Sequence, residues 1–465
     1  MTIIMNYKHS GLIVLLFFLS FTSCSDFVEG FEESPNQAND APIEAVLNGA
    51  LTGLIIGHSG EDARLGAMWA RQFTGSDRQY AAFNVYNVNA ENFEWDKFYL
   101  AVENAEITIS KAEEVNDLLA SGIAKIIKAH SIGMVASLWG DIPYREANEF
   151  PDIEDPVFDP QEQVYGDLQG LLDDAIADLS KNPSSAPIEG IDFYFGGDPA
   201  AWTAVAYSLK ARFYLHTKQY AEALAAARQG IQQTEGDWMI PHFTGSYNQD
   251  MNIYHSFGVA DRQGYMTAND AILPAWLDPA SDSYRGNAKT DEGARFAHLF
   301  VGDGPNWDLN YSEGAMWGAT TPFPLFTTVE NYLIIAEAEL RTNSDMAAAL
   351  EALNEARAWL AAQFPDGTYE PYVLADFEAG GIAARPGASA MEALLYEIVE
   401  EKYVSLVGQI EVYNDLRRTD NLLEIPPVTG SEIPKRFLIP QVEINANTNA
   451  PSPIPGLMEA TPVNR

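Results

Sequence analysis

Chemistry in a chain begins with side chains that can move protons, attack a carbon or hold a metal. Here these are seven histidines, one cysteine and 66 acidic residues. No two histidines fall at i, i+4, so no zinc-binding helix face is predicted. The sequence contains no HExxH, no GxxxxGK[ST] and no GxGxxG behind a strand pattern. Gly57-His58-Ser59-Gly60 is one residue short of a nucleophile elbow and follows no strand. Asp303 and Asp308 lack the spacing of a calcium loop. The expectation is a chain with no catalytic residues, no metal and no cofactor. What remains is recognition. The stretch 238–326 carries Trp238, Trp276, Trp307 and Trp317 among Tyr, Phe and Gly, with little helical periodicity. A polar loop cannot bury such rings unaided. Either they pack on the rest of the fold as a satellite core, or they present faces to a ligand.

The elements that must position these rings read as helices. Val164, Leu168, Leu171, Leu172, Ala175, Ile176 and Leu179 recur at helical spacing behind the turn Phe158-Asp159-Pro160. The stretch 201–232 reads as two Ala-rich helices broken near 216–219, and its LKARFYLHTKQYAEALAAA resembles a tetratricopeptide unit. A related pattern returns at 332–357 with a polar turn at 342–345. The two units do not recur at the strict period of about 34 residues. Further helices are predicted at 93–114, 123–138 and 390–407. No sustained βαβ alternation appears, so a mainly α fold is expected.

Composition narrows the setting. With 465 residues, 47% hydrophobic, the chain is long enough for a large core. Its 27 basic against 66 acidic residues give a net charge of −39, which argues against binding nucleic acid or adsorbing to anionic lipid. The single cysteine excludes an internal disulfide. Lys8 and His9 precede the apolar run GLIVLLFFLSF, whose helix would rise about 16 Å, short of the ~30 Å hydrocarbon core. The run ends in Phe21-Thr22-Ser23-Cys24, which resembles a bacterial lipobox with Phe where Leu is commoner. That resemblance implies a signal peptide over 1–23, acylation of Cys24 and a flexible tether over 24–40, leaving 41–465 as the folded body.

Several short segments stand in order along that body. They are Trp139-Gly140-Asp141-Ile142-Pro143-Tyr144-Arg145-Glu146-Ala147, Asp159-Pro160-Gln161, and Ser208-Leu209-Lys210-Ala211-Arg212. Beyond the aromatic stretch come Glu330, Ala336-Glu337-Ala338, Glu401-Lys402-Tyr403, Asp415-Leu416-Arg417-Arg418-Thr419 and Ile433-Pro434-Lys435-Arg436-Phe437. In the first of these segments Gly140 and Pro143 break the helix, Asp141 can cap, and Trp139 and Tyr144 anchor the loop. Together with the lipobox this series resembles the SusD/RagB family of outer-membrane nutrient-binding lipoproteins of Bacteroidetes. Glu401 and Tyr413 stand where Gln and Trp are more frequent, at positions expected to serve the scaffold.

The resemblance implies a right-handed tetratricopeptide-type scaffold with a loop-rich, aromatic insertion at about 238–326. It also implies an outer-membrane location facing the cell exterior, a TonB-dependent (SusC-like) transporter as partner, and capture of glycans without catalysis. Peptide binding of the RagB kind is the alternative. A protein-only scaffold and a surface glycoside hydrolase, with carboxylates about 5–10 Å apart, are the other classes.

Pyranose C–H faces stack on flat rings while hydroxyls meet Asp, Asn, Gln or Arg. The candidate ligand residues are accordingly Trp69, Asp77, Arg78, Tyr80 and Tyr86 in the segment 68–92. In the insertion they are Trp276, Tyr284, Trp307, Tyr311 and Trp317, with Trp307 and Trp317 foremost. Trp95, Trp139, Trp202 and Trp359 are assigned to scaffold or core. A local patch such as Arg285, Lys289 and Arg295 is expected to be able to hold a polyanion despite the net charge.

Overall fold

Helix-breaking and helix-starting residues divide the chain as their chemistry requires. The computed structural model describes residues 41–149, 151–181 and 188–465, so the lipobox, Cys24 and the tether lie outside the described residues. The amino-terminal half holds α1 (Ile43–Ser59), α2 (Glu61–Trp69), α3 (Arg78–Asn84), α4 (Asp96–Val115), α5 (Leu118–Trp139), α6 (Gln161–Lys181), α7 (Pro199–His216) and α8 (Tyr220–Ala227). The insertion contributes α9 (Ile272–Leu277) and α10 (Gly293–Leu299). The remainder is α11 (Thr328–Asn343), α12 (Met346–Gln363), α13 (Ala390–Ser405), α14 (Ile410–Arg418) and α15 (Gln441–Ala446). The fold is mainly α, as predicted. The break expected near 216–219 falls between α7 and α8, where Lys218 takes φ 60°. The polar turn falls between α11 and α12, where Ser344 takes φ 52°.

Caps explain the starts. Asp198 accepts from Ala200 N at 2.9 Å ahead of Pro199, and Asp345 accepts from Ala347 N and Ala348 N at 3.0 Å. Asp141 Oδ1 accepts from Gln161 N at 2.8 Å, so the Trp-Gly-Asp turn caps α6 from a distance. Neighbouring helices pack in sequence, α4 on α5, α5 on α6, α7 on α8 and α11 on α12. Small residues let them approach: a Cβ on Gly133 of α5 would sit 2.3 Å from the Phe213 ring of α7.

The ordered motifs meet one another inside this scaffold. Arg212 pairs with Glu330 at 2.7 Å, Arg418 with Glu337 at 2.5 Å and with Asp415 at 2.6 Å, and Lys402 with Asp415 at 3.1 Å, all buried. Two arginines hold Glu337 down to about 2 against the opposing effect of burial. These charges link α7, α11, α13 and α14, and removing one of a buried pair costs about 3–5 kcal/mol.

The insertion is fastened to the scaffold by short ladders and by charge. Trp238–Ile240 pairs antiparallel with Phe323–Phe326, so both ends of the segment close on one ladder. Thr74–Gly75 pairs with Met266–Thr267, and Thr290–Asp291 with Thr368–Tyr369. Arg285 lies 3.0–3.6 Å from Glu292, Glu397, Glu400 and Glu401, the last three on α13. Arg295 meets Glu401 at 2.8 Å and Lys289 meets Asp376 at 2.7 Å. The expected basic patch is therefore absent. The side chains of its two arginines are buried and all three cations are committed to carboxylates, because a charge can leave water only when matched.

Candidate functional site

A cleft of about 800 Å³ opens where three distant segments converge: 270–283, the hairpin Phe300–Asp303/Asn306–Leu309, and residues 423–426. Its wall is propped from behind by Arg71, which donates to the carbonyl of Asp270 at 2.9 Å and of Pro426 at 3.4 Å. Ile272 N in turn donates to the carbonyl of Arg71 at 2.9 Å, starting α9 against the scaffold. Ala268 N and Asp270 N donate to the carbonyls of Trp307 and Pro305 at 3.1 Å, which ties the hairpin to the same wall.

Two predicted residues come together here, Trp276 and Trp307. Trp276 is half-buried, its ring 5.2 Å from that of Tyr403 on α13. Trp307 is 6% exposed. Its Nε1 donates to Asp278 Oδ2 at 3.1 Å, which fixes the ring plane. A Cβ on Gly304 would fall 2.6 Å from that ring, so only glycine lets the hairpin turn fold over the indole.

Around the indoles stand Asp270, Asp278, Asp282, Asp303 and Glu424, with the hydroxyls of Ser281 and Ser283. No Lys, Arg or His lines the cleft among the described residues. Arg71, Asp270 and Glu424 take φ 62°, 55° and 54°, a left-handed backbone costing roughly 1–2 kcal/mol each. Such strain gathers where function holds a loop in place. The chemistry on offer is hydrogen-bond acceptance at several points and flat apolar contact at two, which suits a neutral, hydroxyl-rich ligand and repels an anion. Among the described residues no group of His, Cys, Asp and Glu is placed to hold a metal ion.

The other candidates lie elsewhere, and several face inward. Trp69 is fully buried, with Nε1 donating to the Phe83 carbonyl at 3.0 Å and its ring edge-on to Tyr413 and Phe437. Trp317 is fully buried against Tyr254, with Nε1 donating to the Leu299 carbonyl at 2.8 Å. Both rings complete the core and offer no face to a ligand, which corrects the expectation for Trp317 in particular. Tyr80 is buried and accepts from Arg64 Nε at 3.0 Å. Tyr86 is buried and accepts from Val428 N at 2.9 Å. Asp77 and Arg78 are exposed, Asp77 capping α3 and Arg78 lying over the Tyr265 ring. Tyr284 donates to Asp291 Oδ1 at 3.0 Å, and Tyr311 sits half-buried edge-on to His255. None of these lines the cleft.

Sequence reasoning missed the cleft's carboxylates and Arg71, because no local signal unites residues 71, 270, 278, 303 and 424. It also missed Phe243 and Tyr247, which are 71% and 47% exposed and are the solvent-facing large aromatics of the insertion.

Comparison with known proteins returns one family model, SusD-like, described as starch-binding and associating with outer membrane, over residues 35–440. Solved structures share the fold. A SusD homologue from Bacteroides fragilis superposes with TM-score 0.67 at 18% identity, over 91% of this chain and 99% of that one. A chitin-binding SusD homologue from Flavobacterium johnsoniae gives 0.64 at 18%, over 86% and 94%. A SusD/RagB family protein from Bacteroides thetaiotaomicron gives 0.63 at 18%, over 88% and 95%. No curated protein matches the sequence.

Proposed function

The chain belongs to the SusD-like family, and from that footing we propose that it captures neutral glycans at the Trp276–Trp307 cleft without cleaving them. The observation that carries this reading is the lining itself. The half-buried Trp276 gives a stacking surface beside the buried, hydrogen-bonded Trp307, and five carboxylates with two seryl hydroxyls give acceptors for sugar hydroxyls. The structure of the chitin-binding homologue supports a glycan as the ligand class. Acylation at Cys24 would hold the body on the outer membrane, and a TonB-dependent transporter would receive the ligand.

The test is titration of the purified protein with neutral oligosaccharides, beside the double variant Trp276→Ala/Trp307→Ala. Loss of about a hundredfold in affinity in the variant, with unchanged far-UV circular dichroism, is expected. Equal binding by parent and variant would remove this cleft from consideration, and selective binding of basic peptides would replace the glycan with a peptide of the RagB kind. For the anchor, Cys24→Ala should leave the protein outside the membrane fraction; unchanged sedimentation with membranes would refute acylation.

A further inference from the structure

A second cleft, of about 470 Å³, lies between α1 and the loop 241–251 of the insertion. Arg64 of α2 lines it yet is only 7% exposed. Its Nε donates to the Tyr80 hydroxyl at 3.0 Å, and its guanidinium carbon lies 4.2 Å from the Phe257 ring centroid. Nη1 is buried with no hydrogen-bond partner among the described residues. Nη2 also makes no hydrogen bond among the described residues but is not sealed as Nη1 is, so its N–H groups can meet an oxygen that arrives in the cleft.

The loop above is built to hold one ring in the open. Asp250 Oδ2 accepts from Phe243 N at 3.0 Å and Thr244 N at 2.6 Å; Oδ1 accepts from Ser246 N at 3.0 Å and Thr244 Oγ1 at 2.6 Å. Those bonds, first of all the one from the Thr244 hydroxyl, hold its carboxyl down to about 2. The backbone under Phe243 is thereby fixed before any ligand binds, which lowers the ordering cost of using its ring. Asp261 accepts from Ser256 Oγ at 2.8 Å and from the Tyr247 hydroxyl, and keeps acceptor capacity on each oxygen. Arg64 disfavours a cationic ligand; Asp250, Asp261 and the net charge of −39 disfavour an anionic one.

We propose that this cleft is a second binding site, for a neutral sugar residue. The Nη2 N–H groups of Arg64 donate to a ring hydroxyl, Asp261 accepts a hydroxyl, and Phe243 covers a C–H face. This rests on the glycan reading above but uses none of the residues of the Trp276–Trp307 cleft.

Methyl-labelled methionine and indole N–H resonances of the full chain separate the two sites, since Met251 lines the second cleft and Trp276 the first. The probes are malto-, cello-, chito- and xylohexaose, with hexagalacturonate as the charged control. A saturable Met251 shift with at least one neutral hexaose is expected, weakened about tenfold in Phe243→Ala while the Trp276 response is kept. Phe243 is exposed, so this variant folds; Arg64→Lys, which keeps the charge and loses the fork, should also weaken the Met251 response. A Met251 signal that ignores every neutral hexaose while Trp276 responds overturns the second site alone. So does a Met251 response to the uronate only. Silence at both residues overturns this site together with the glycan reading.

Discussion

Arg285 lies within ion-pair distance of four carboxylates, whereas Arg64, equally removed from water, forms no ion pair among the described residues. Arg285 belongs to the insertion and its carboxylates on α13 belong to the scaffold, so its charge is spent on joining two parts of the fold. Arg64 belongs to the scaffold and faces the insertion across a cleft, held by the Tyr80 hydroxyl and the faces of two rings, Phe257 and Tyr254. The contrast teaches that burial alone does not assign a role to a charge. A guanidinium ringed by carboxylates marks a joint. One that faces open volume with no carboxylate paired to it marks a place for something else.

The largest expected effect tests the joint. Arg285→Met removes the only cation among the described residues at ion-pair distance from Glu397 and leaves four crowded carboxylates, so unfolding should cost about 3–5 kcal/mol less. Arg64→Met gives up one hydrogen bond and its cation–π contacts, and should cost only about 1–2 kcal/mol. Denaturant midpoints at constant m-value read the difference; equal losses would break the comparison.

The smallest effect is a dependence on pH. Burial, opposed by Arg285 and Arg385 and aided by Glu397 and Glu401, pushes the Glu400 carboxyl up to about 7 from 4.5. The folded chain then holds a proton that the unfolded chain releases. Stability from this group is full below pH 4.5 and is lost as pH rises through about 7. Glu400→Gln should match the parent near pH 4.5 and exceed it by about 1 kcal/mol at pH 8. Glu401, held down to about 2 by Arg295 and Arg285 despite burial, works the other way and loses its contribution only as pH falls toward that value. Parallel stability curves for parent and Glu400→Gln between pH 4.5 and 8 would mean that Glu400 carries no excess proton.

The scaffold was largely legible because its helices repeat apolar residues at 3.6 spacing and end at polar turns, as at 216–219 and 342–345. α14 was hidden for a physical reason: it buries Glu411, Asn414, Asp415 and Arg418, so polar residues occupy the inward face and mask the pattern. The rings of the insertion were legible as a group and not one by one. Trp69 finds Tyr413 and Phe437, and Trp317 finds Leu299 and Tyr254, across separations no local window spans. Trp276 and Trp307 differ in that both border a cleft, Trp276 with part of its ring exposed. Phe243 gave no signal at all, since its exposure depends on a carboxylate seven residues later.

The end of α5 shows how late this architecture becomes complete. Phe437 N donates to the Leu138 carbonyl at 2.9 Å, Trp139 Nε1 donates to the Leu438 carbonyl at 2.8 Å, and Arg417 Nη2 reaches the Ser137 carbonyl at 2.9 Å. α5 is also the one helix among the described residues long and apolar enough to cross a membrane, though it is mostly buried in the fold. During synthesis from the amino terminus, that helix emerges some three hundred residues before the segment that seals its last turn. α4, made before it, and α6, made directly after it, cover most of that helix early, while its last turn alone waits for the distant 437–438 segment to close it.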